Sequence, residues 1–278
     1  YNLKIKKLLS NNSKNSLGIY IQENQPWEYS LNYFWKKFND TKIIGVPHTT
    51  VRFFDLRYFF SKNTFLLPDN SPPFPNLIVT NGLDTYKKFS SMSHLPCKVL
   101  SVEALRYVHL NDLIKETPRP VDKIPKILVV GDLFFNITMS QIEFILLWKK
   151  KLNPNADITF LPHPAADLRM YNKYKNLITI SSNLINEINN YDLFFFGNST
   201  SGVIDIYQLG LPLIIYNDPK LLNLSPLLDF KDVKFVNDIY ALDRSVIEIL
   251  NKEISSVDYF NINKEIPLWK NLIYQNID

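Results

Sequence analysis

Short apolar runs recur along the chain, and most are followed by a segment with helical spacing. In the first part the runs are "SLGIYIQE", "TKIIGVPH", "NLIVTNG" and the start of "KVLSVEALRYVHL"; "PWEYSLNYFWKKFND" and "LDTYKKFSSM" read as helices between them. Strands alternating with helices imply a parallel sheet. The prolines of "NTFLLPDNSPPFPN", residues 63 to 76, forbid regular structure and predict a surface loop.

The pattern restarts after "IKETPRPVDKIP", residues 114 to 125, a charged, proline-containing linker candidate. Beyond it "KILVV", "DITFL", "LITI", "DLFFF", "PLIIY" and "VKFV" are runs of the kind seen in strands buried on both faces. A helix is expected from Thr138, with Thr138 and Gln141 at capping-box spacing. Leu184, Ile185, Ile188 and Tyr191 share one helical face, as do Val203, Ile204, Tyr207 and, less tightly, Ile206. The expectation is a Rossmann-like unit of about six strands. Two such domains follow, over residues 1–120 and 121–278.

Composition narrows the class. With 278 residues, 46% of them hydrophobic, the chain has the material for two cores and is not disordered. A net charge of +4 is too small and diffuse for a dedicated nucleic-acid binder, but suits an anionic ligand or an acidic membrane surface. The single cysteine, Cys97, excludes an intrachain disulfide framework and fits a reducing compartment. No run is long enough to span a membrane and no signal peptide is visible, so a cytoplasmic location is expected. Opening on Tyr1 rather than Met, the chain reads as a processed or truncated piece.

Ligands of doubly wound sheets bind at the carboxyl ends of the strands. In the second unit those ends present Gly131 and Asp132, then His163 followed by Pro164, then "FFFGNSTSG" with Asn198, Ser199, Thr200 and Ser201. Gly197 is expected to turn the backbone sharply, and the hydroxyls to cap the next helix, leaving its amide groups facing an anion. Plain N-capping is the alternative for each hydroxyl. His163 is either structural or a phosphate ligand, with Pro164 fixing the direction of the chain. Asp132 either caps a helix or acts as general base or nucleophile. In the first unit His48, Arg52 and Arg57 follow a strand, and Glu103, Arg106 and Tyr107 end another. These residues would bind an acceptor or a donor carboxylate, or form a solvated face of ion pairs. A Walker A loop, GxGxxG, HExxH and any Asp-x-Asp pair are missing, so neither a metal nor a resident cofactor is expected.

His-Pro after a strand of the second unit, and a Ser/Thr-rich helix start further on, resemble GT-B glycosyltransferases that use CMP-activated sugars. "GVPHTTVRFFDLRYF" and "VEALRYVHL" resemble segments of bacterial surface-carbohydrate biosynthesis proteins. The order Asp132, His163, Ser199 to Ser201 is most similar to the retaining β-Kdo transferases of capsule and lipopolysaccharide synthesis, and also resembles sialyltransferases. The resemblance implies two Rossmann-like domains with parallel sheets facing a cleft. It implies a CMP phosphate held by His163, Ser199, Thr200 and Ser201, with the CMP-sugar a substrate rather than a cofactor. Asp132 would act at the anomeric carbon as nucleophile or base, with Glu103 as its partner. His48, Arg52 and Arg106 would face the acceptor or the donor carboxylate. A glycan acceptor and peripheral contact with the inner membrane complete that expectation. A CDP-glycerol-type transferase, a UDP-sugar 2-epimerase and a non-catalytic carbohydrate-binding domain of a larger synthase remain as alternatives.

Overall fold

The computed structural model describes residues 2–11, 16–66, 71–113, 124–177, 184–251 and 259–277. The chain forms two compact units, Tyr1–Leu113 with Asp258–Asp278, and Ile114–Val257.

In the first unit β1 (Gly18–Ile21), β2 (Ile43–Val46), β3 (Leu77–Thr80) and β4 (Lys98–Ser101) pair in parallel, in sequence order. Each step moves to the next neighbour in the same direction. Right-handed crossovers therefore place the connections on one face. That face carries α1 (Asn2–Asn11), α2 (Pro26–Phe38) and α3 (Leu83–Ser90). It packs Tyr20 and Ile43 against Trp35, and Ile78 against Phe89. The period-two alternation sends Ile44, Leu77 and Val79 to the other face, where the crossovers supply nothing to cover them.

The C-terminal segment covers it. α8 (Pro267–Tyr274) lays Trp269 and Leu272 on Ile44, Leu77, Val79 and Val102. Glu103 fixes the helix there. Its carboxylate accepts from the amides of Leu268 at 2.9 Å and Trp269 at 3.1 Å, and its carbonyl accepts from the Trp269 indole at 2.8 Å. Ahead of the helix, Phe260 stacks on Tyr107 with ring centroids 3.9 Å apart. Asn261 donates its amide to the Asn81 carbonyl at 3.2 Å. Gly82 lets this segment pass, since a Cβ there would lie 2.3 Å from the Tyr259 carbonyl oxygen. The expected allotment of residues 121–278 to the second domain is thus corrected at its end. The last residues belong to the first unit, which otherwise has a bare sheet face.

The second unit contains β5 (Lys126–Val130), β6 (Asp157–Leu161), β7 (Leu193–Phe196), β8 (Leu213–Tyr216) and β9 (Lys234–Val236), all parallel, in the order β6-β5-β7-β8-β9. Helices α4 (Phe135–Lys151) and α7 (Ile239–Leu250) cover one face, burying Ile142, Ile145, Trp148, Leu242 and Val246 on Ile127, Val129 and Ile214. The short α5 (Leu184–Glu187) and α6 (Val203–Gln208) complete its α-helices among the described residues, and a 3-10 helix, Leu168–Leu177, adds Tyr171 and Tyr174 to the core. Residues of the opposite sheet face, Leu128, Phe194 and Phe196, are equally buried. Continuous apolar runs are what a sheet covered on both faces requires. Most of the expected "LITI" strand, and of the expected linker, lies outside the described residues.

Candidate functional site

The strand order of the second unit reverses at β5. The chain steps from β5 outward to β6, then returns past β5 to β7. The loops leaving β5 and β7 therefore diverge to opposite faces and open a crevice between them, the switch point at which such sheets bind ligands. A cavity of about 190 Å³ lies there, lined by Gly131, His163, Pro164, Thr200, Ser201 and Asp205, with aliphatic walls from Val130, Leu161 and Leu184.

Close backbone approach builds this crevice. The Gly131 amide donates to the Leu161 carbonyl at 2.9 Å, and a Cβ on Gly131 would sit 3.0 Å from the Phe160 ring and 3.2 Å from the His163 backbone nitrogen. His163 Nδ1 accepts from the amide of Ala165 at 3.1 Å. An accepting Nδ1 is unprotonated, so the neutral ring carries its proton on Nε2 and keeps a donor for a ligand. Pro164, directly before that amide, helps hold the turn that makes the bond. Thr200 Oγ1 accepts from the Gly202 amide at 3.4 Å. Ser201 is exposed in the cavity wall.

Asn198 and Ser199 turn the other way. Asn198 is buried and donates to the Leu222 carbonyl at 3.4 Å. Ser199 donates its hydroxyl to Asp132 Oδ2. The second carboxylate oxygen of Asp132 accepts from the Phe134 amide at 3.2 Å, and its backbone amide donates to Thr138 Oγ1 at 2.9 Å. Asp132 is 2% exposed and does not line the cavity. In place of the open position expected of a nucleophile or base, its carboxylate is buried, shared by two donors, and ties the β7 loop to the start of α4. The assigned N-cap of α6 is Gly202, which is already helical and has no side chain to cap with, so the hydroxyl bond at this helix start is the long one from the Gly202 amide to Thr200. Gly197 has no left-handed backbone, and a Cβ there would make ordinary contacts at 3.4 Å.

Sequence spacing missed one residue that shapes the site. α4 begins at Phe135, three residues before the expected Thr138, so Thr138 and Gln141 face the sheet instead of forming a capping box. Gln141 donates to the carbonyls of Val130 at 3.2 Å and Phe195 at 2.8 Å. It clamps together the two strand ends that flank the crevice. Its place on a helical stripe otherwise made of Ile142, Ile145 and Trp148 was the available signal.

The first unit has its own cavity at the carboxyl edge of its sheet, about 560 Å³ and mostly apolar. Ile19, Ile21, Val46, Val79, Leu105 and Trp269 form walls, and His48, Thr80, Asn81 and Arg106 supply polar groups. Ile19 and Ile21 stand on the face that α8 covers only in part, and each is about half exposed. Burial, and then the positive charge of Arg106, hold the His48 imidazole below its usual range, while Glu23 acts in the opposite sense. His48 Nδ1 is buried without a hydrogen-bond partner. The structure thus brings His48 and Arg106 to one cavity, but Arg52 does not line it. Glu103 lines the same cavity with both carboxylate oxygens committed to α8, which corrects its expected role as an acid or base at the sugar.

No family model matches the chain, and no curated protein matches it in sequence. Among solved structures, UDP-GlcNAc 2-epimerase from Neisseria meningitidis bound to UDP-GlcNAc is similar over 99% of this chain and 81% of its own, with a TM-score of 0.57 and 12% identity. A GtfA/B complex is similar over 99% of this chain but only 56% of its own, with a TM-score of 0.51 and 10% identity. At such identities the likeness is one of fold. The fold is GT-B-like, two Rossmann-like units with parallel sheets.

Proposed function

We propose that the chain is a glycosyltransferase whose second unit grips the phosphate of a nucleotide-linked sugar. The observation that carries this reading is the switch-point cavity, which gathers Gly131, His163, Thr200 and Ser201 from three separate loops. A phosphoryl group there would receive Nε2–H of His163 and the hydroxyls of Thr200 and Ser201. These donors gain strength as the glycosidic bond breaks and charge builds on the departing phosphate, which lowers the barrier. Asp205 brings a carboxylate to the same wall. It repels phosphate at that end and suits a hydroxyl-bearing part of the donor, such as ribose.

The donor we favour is a CMP-activated ulosonic acid, supported by the order of Asp132, His163 and the Ser/Thr stretch. Asp132 acts in this reading as a positioning residue that holds Ser199 and the β7 loop, not as the group attacking the sugar. The polar groups beside the apolar cavity of the first unit, His48 and Arg106, would serve the acceptor. A UDP-linked sugar is the second reading, because a similar structure carries UDP-GlcNAc.

Calorimetry with CMP, CDP and UDP, followed by turnover of CMP-Kdo, CDP-glycerol and UDP-GlcNAc, tests the proposal. The expected result is CMP binding that weakens in His163→Ala, CMP-Kdo turnover, and no sugar adduct on Asp132 by mass spectrometry. Preference for UDP would move the assignment to the second reading. Absence of binding by all three nucleotides at millimolar concentration would end both.

A further inference from the structure

Residues 51–66 of the first unit present an unusual surface. Phe53, Phe54, Leu56 and Phe59 all count among the exposed large apolar side chains, with Leu56 76% and Phe53 53% exposed. Four such side chains within seven residues exceed the scattered apolar exposure that any protein surface carries.

The segment is not a loose loop. Val51 is buried at its start, and its carbonyl accepts from Lys88 Nζ at 2.9 Å. Tyr58 is fully buried and donates its hydroxyl to the Gln22 carbonyl at 3.0 Å. Between these anchors Arg57 forms a two-point pair with Asp55, both contacts at 2.8 Å, and the rings of Phe53 and Phe54 meet edge to face at 4.9 Å. The rings are therefore held outward by a fixed turn. Docking them would cost little ordering entropy.

The charges indicate what they dock on. With Arg57 paired to Asp55, the one acid between residues 51 and 66, Arg52 and Lys62 leave the segment a net charge of +2 beside the rings. Phenylalanine and leucine with adjacent cations match the boundary between acyl chains and anionic headgroups, where apolar insertion and charge attraction add. No helix among the described residues is long and apolar enough to cross a membrane, so such contact would be peripheral.

We propose that the turn around Phe53–Phe59 is a wedge that seats the first unit on an anionic lipid bilayer. This does not depend on the donor reading above. The test is flotation of the full chain with vesicles of phosphatidylglycerol and phosphatidylcholine, compared with phosphatidylcholine alone, and sedimentation equilibrium without lipid. The expected result is binding to the anionic vesicles that falls with salt. It should drop about tenfold or more in the triple variant Phe53→Ser, Phe54→Ser, Leu56→Ser, and severalfold in Lys62→Glu. Unchanged nucleotide binding and circular dichroism in these variants show that the fold survives. Equal flotation of wild type and triple variant, or no flotation at all, overturns the proposal. So does a dimer that the triple variant dissolves, which would make a second copy the occupant.

Discussion

The two sheets are both parallel, yet they make different openings at their carboxyl edges. The first winds in one direction, has no switch point among its described strands, and depends on a returning helix to cover its second face. Its opening is large and apolar, because part of that face stays uncovered. The second reverses at β5, buries residues of both its faces, and leaves a small crevice lined by glycine, imidazole and hydroxyls. The smaller opening lined by glycine, imidazole and hydroxyls therefore accompanies the reversal in strand order, not the presence of a parallel sheet.

The strongest way to break this contrast is to remove the cover of the first sheet. Trp269→Ala deletes a buried indole and should destabilise the first unit by about 3 to 5 kcal/mol. Glu103→Ala leaves two amides of α8 without acceptors, one of them buried, and should cost about 2 to 4 kcal/mol. Hydrogen exchange of Ile44 and Val79 should report both losses, while amides of Val129 and Phe195 keep their protection. Equal loss of protection in both sheets would show that the second unit leans on the first, and the contrast would fail.

The next effect concerns the crevice. Asp132→Ala strands the Phe134 amide and the Ser199 hydroxyl, and should lower the stability of the second unit by about 1 to 3 kcal/mol. Asp132→Asn, which can still accept one of those bonds, should lose less. The positioning role adds a kinetic signature: both variants should raise KM for the donor more than they lower kcat. A nucleophile would show the reverse, with kcat collapsing in Asp132→Asn. His163→Ala should be milder in stability and weaken CMP about tenfold, equivalent to about 1.4 kcal/mol, by calorimetry.

Particular residues show why some of this was legible in the chain and some was not. "KILVV" and "DLFFF" announce buried strands because a sheet covered on both sides accepts apolar residues at every position. The strand ends were therefore visible, and with them the convergence of Gly131, His163, Thr200 and Ser201. Which way each side chain turns was not visible. Ser199 and Thr200 are neighbours of nearly the same chemistry, yet one bonds to Asp132 and the other lines the cavity. The backbone of the loop decides that, and no residue pattern records it. Glu103 is the clearer failure. A carboxylate at the end of a strand looks like chemistry, but its partners lie at Leu268 and Trp269, far along the chain. The same distance hid the return of α8, since a single amphipathic helix does not reveal which sheet it covers.

The smallest effect sharpens the contrast from the side of the first unit. His48 sits below the usual imidazole range of about 6.5 because burial disfavours the cation and Arg106 repels it. As pH falls below that range the unfolded chain takes up a proton that the folded one still refuses. Stability from this group is thus present near neutrality and lost on acidification, until the pH reaches the folded value. Arg106→Gln should raise the His48 titration midpoint, though not fully to the unperturbed value, because burial remains the larger cause. The ring signals of His48 in a two-dimensional NMR titration provide the measurement. A midpoint unmoved by the substitution would mean that burial alone sets it, and that Arg106 points its charge elsewhere than into the apolar cavity.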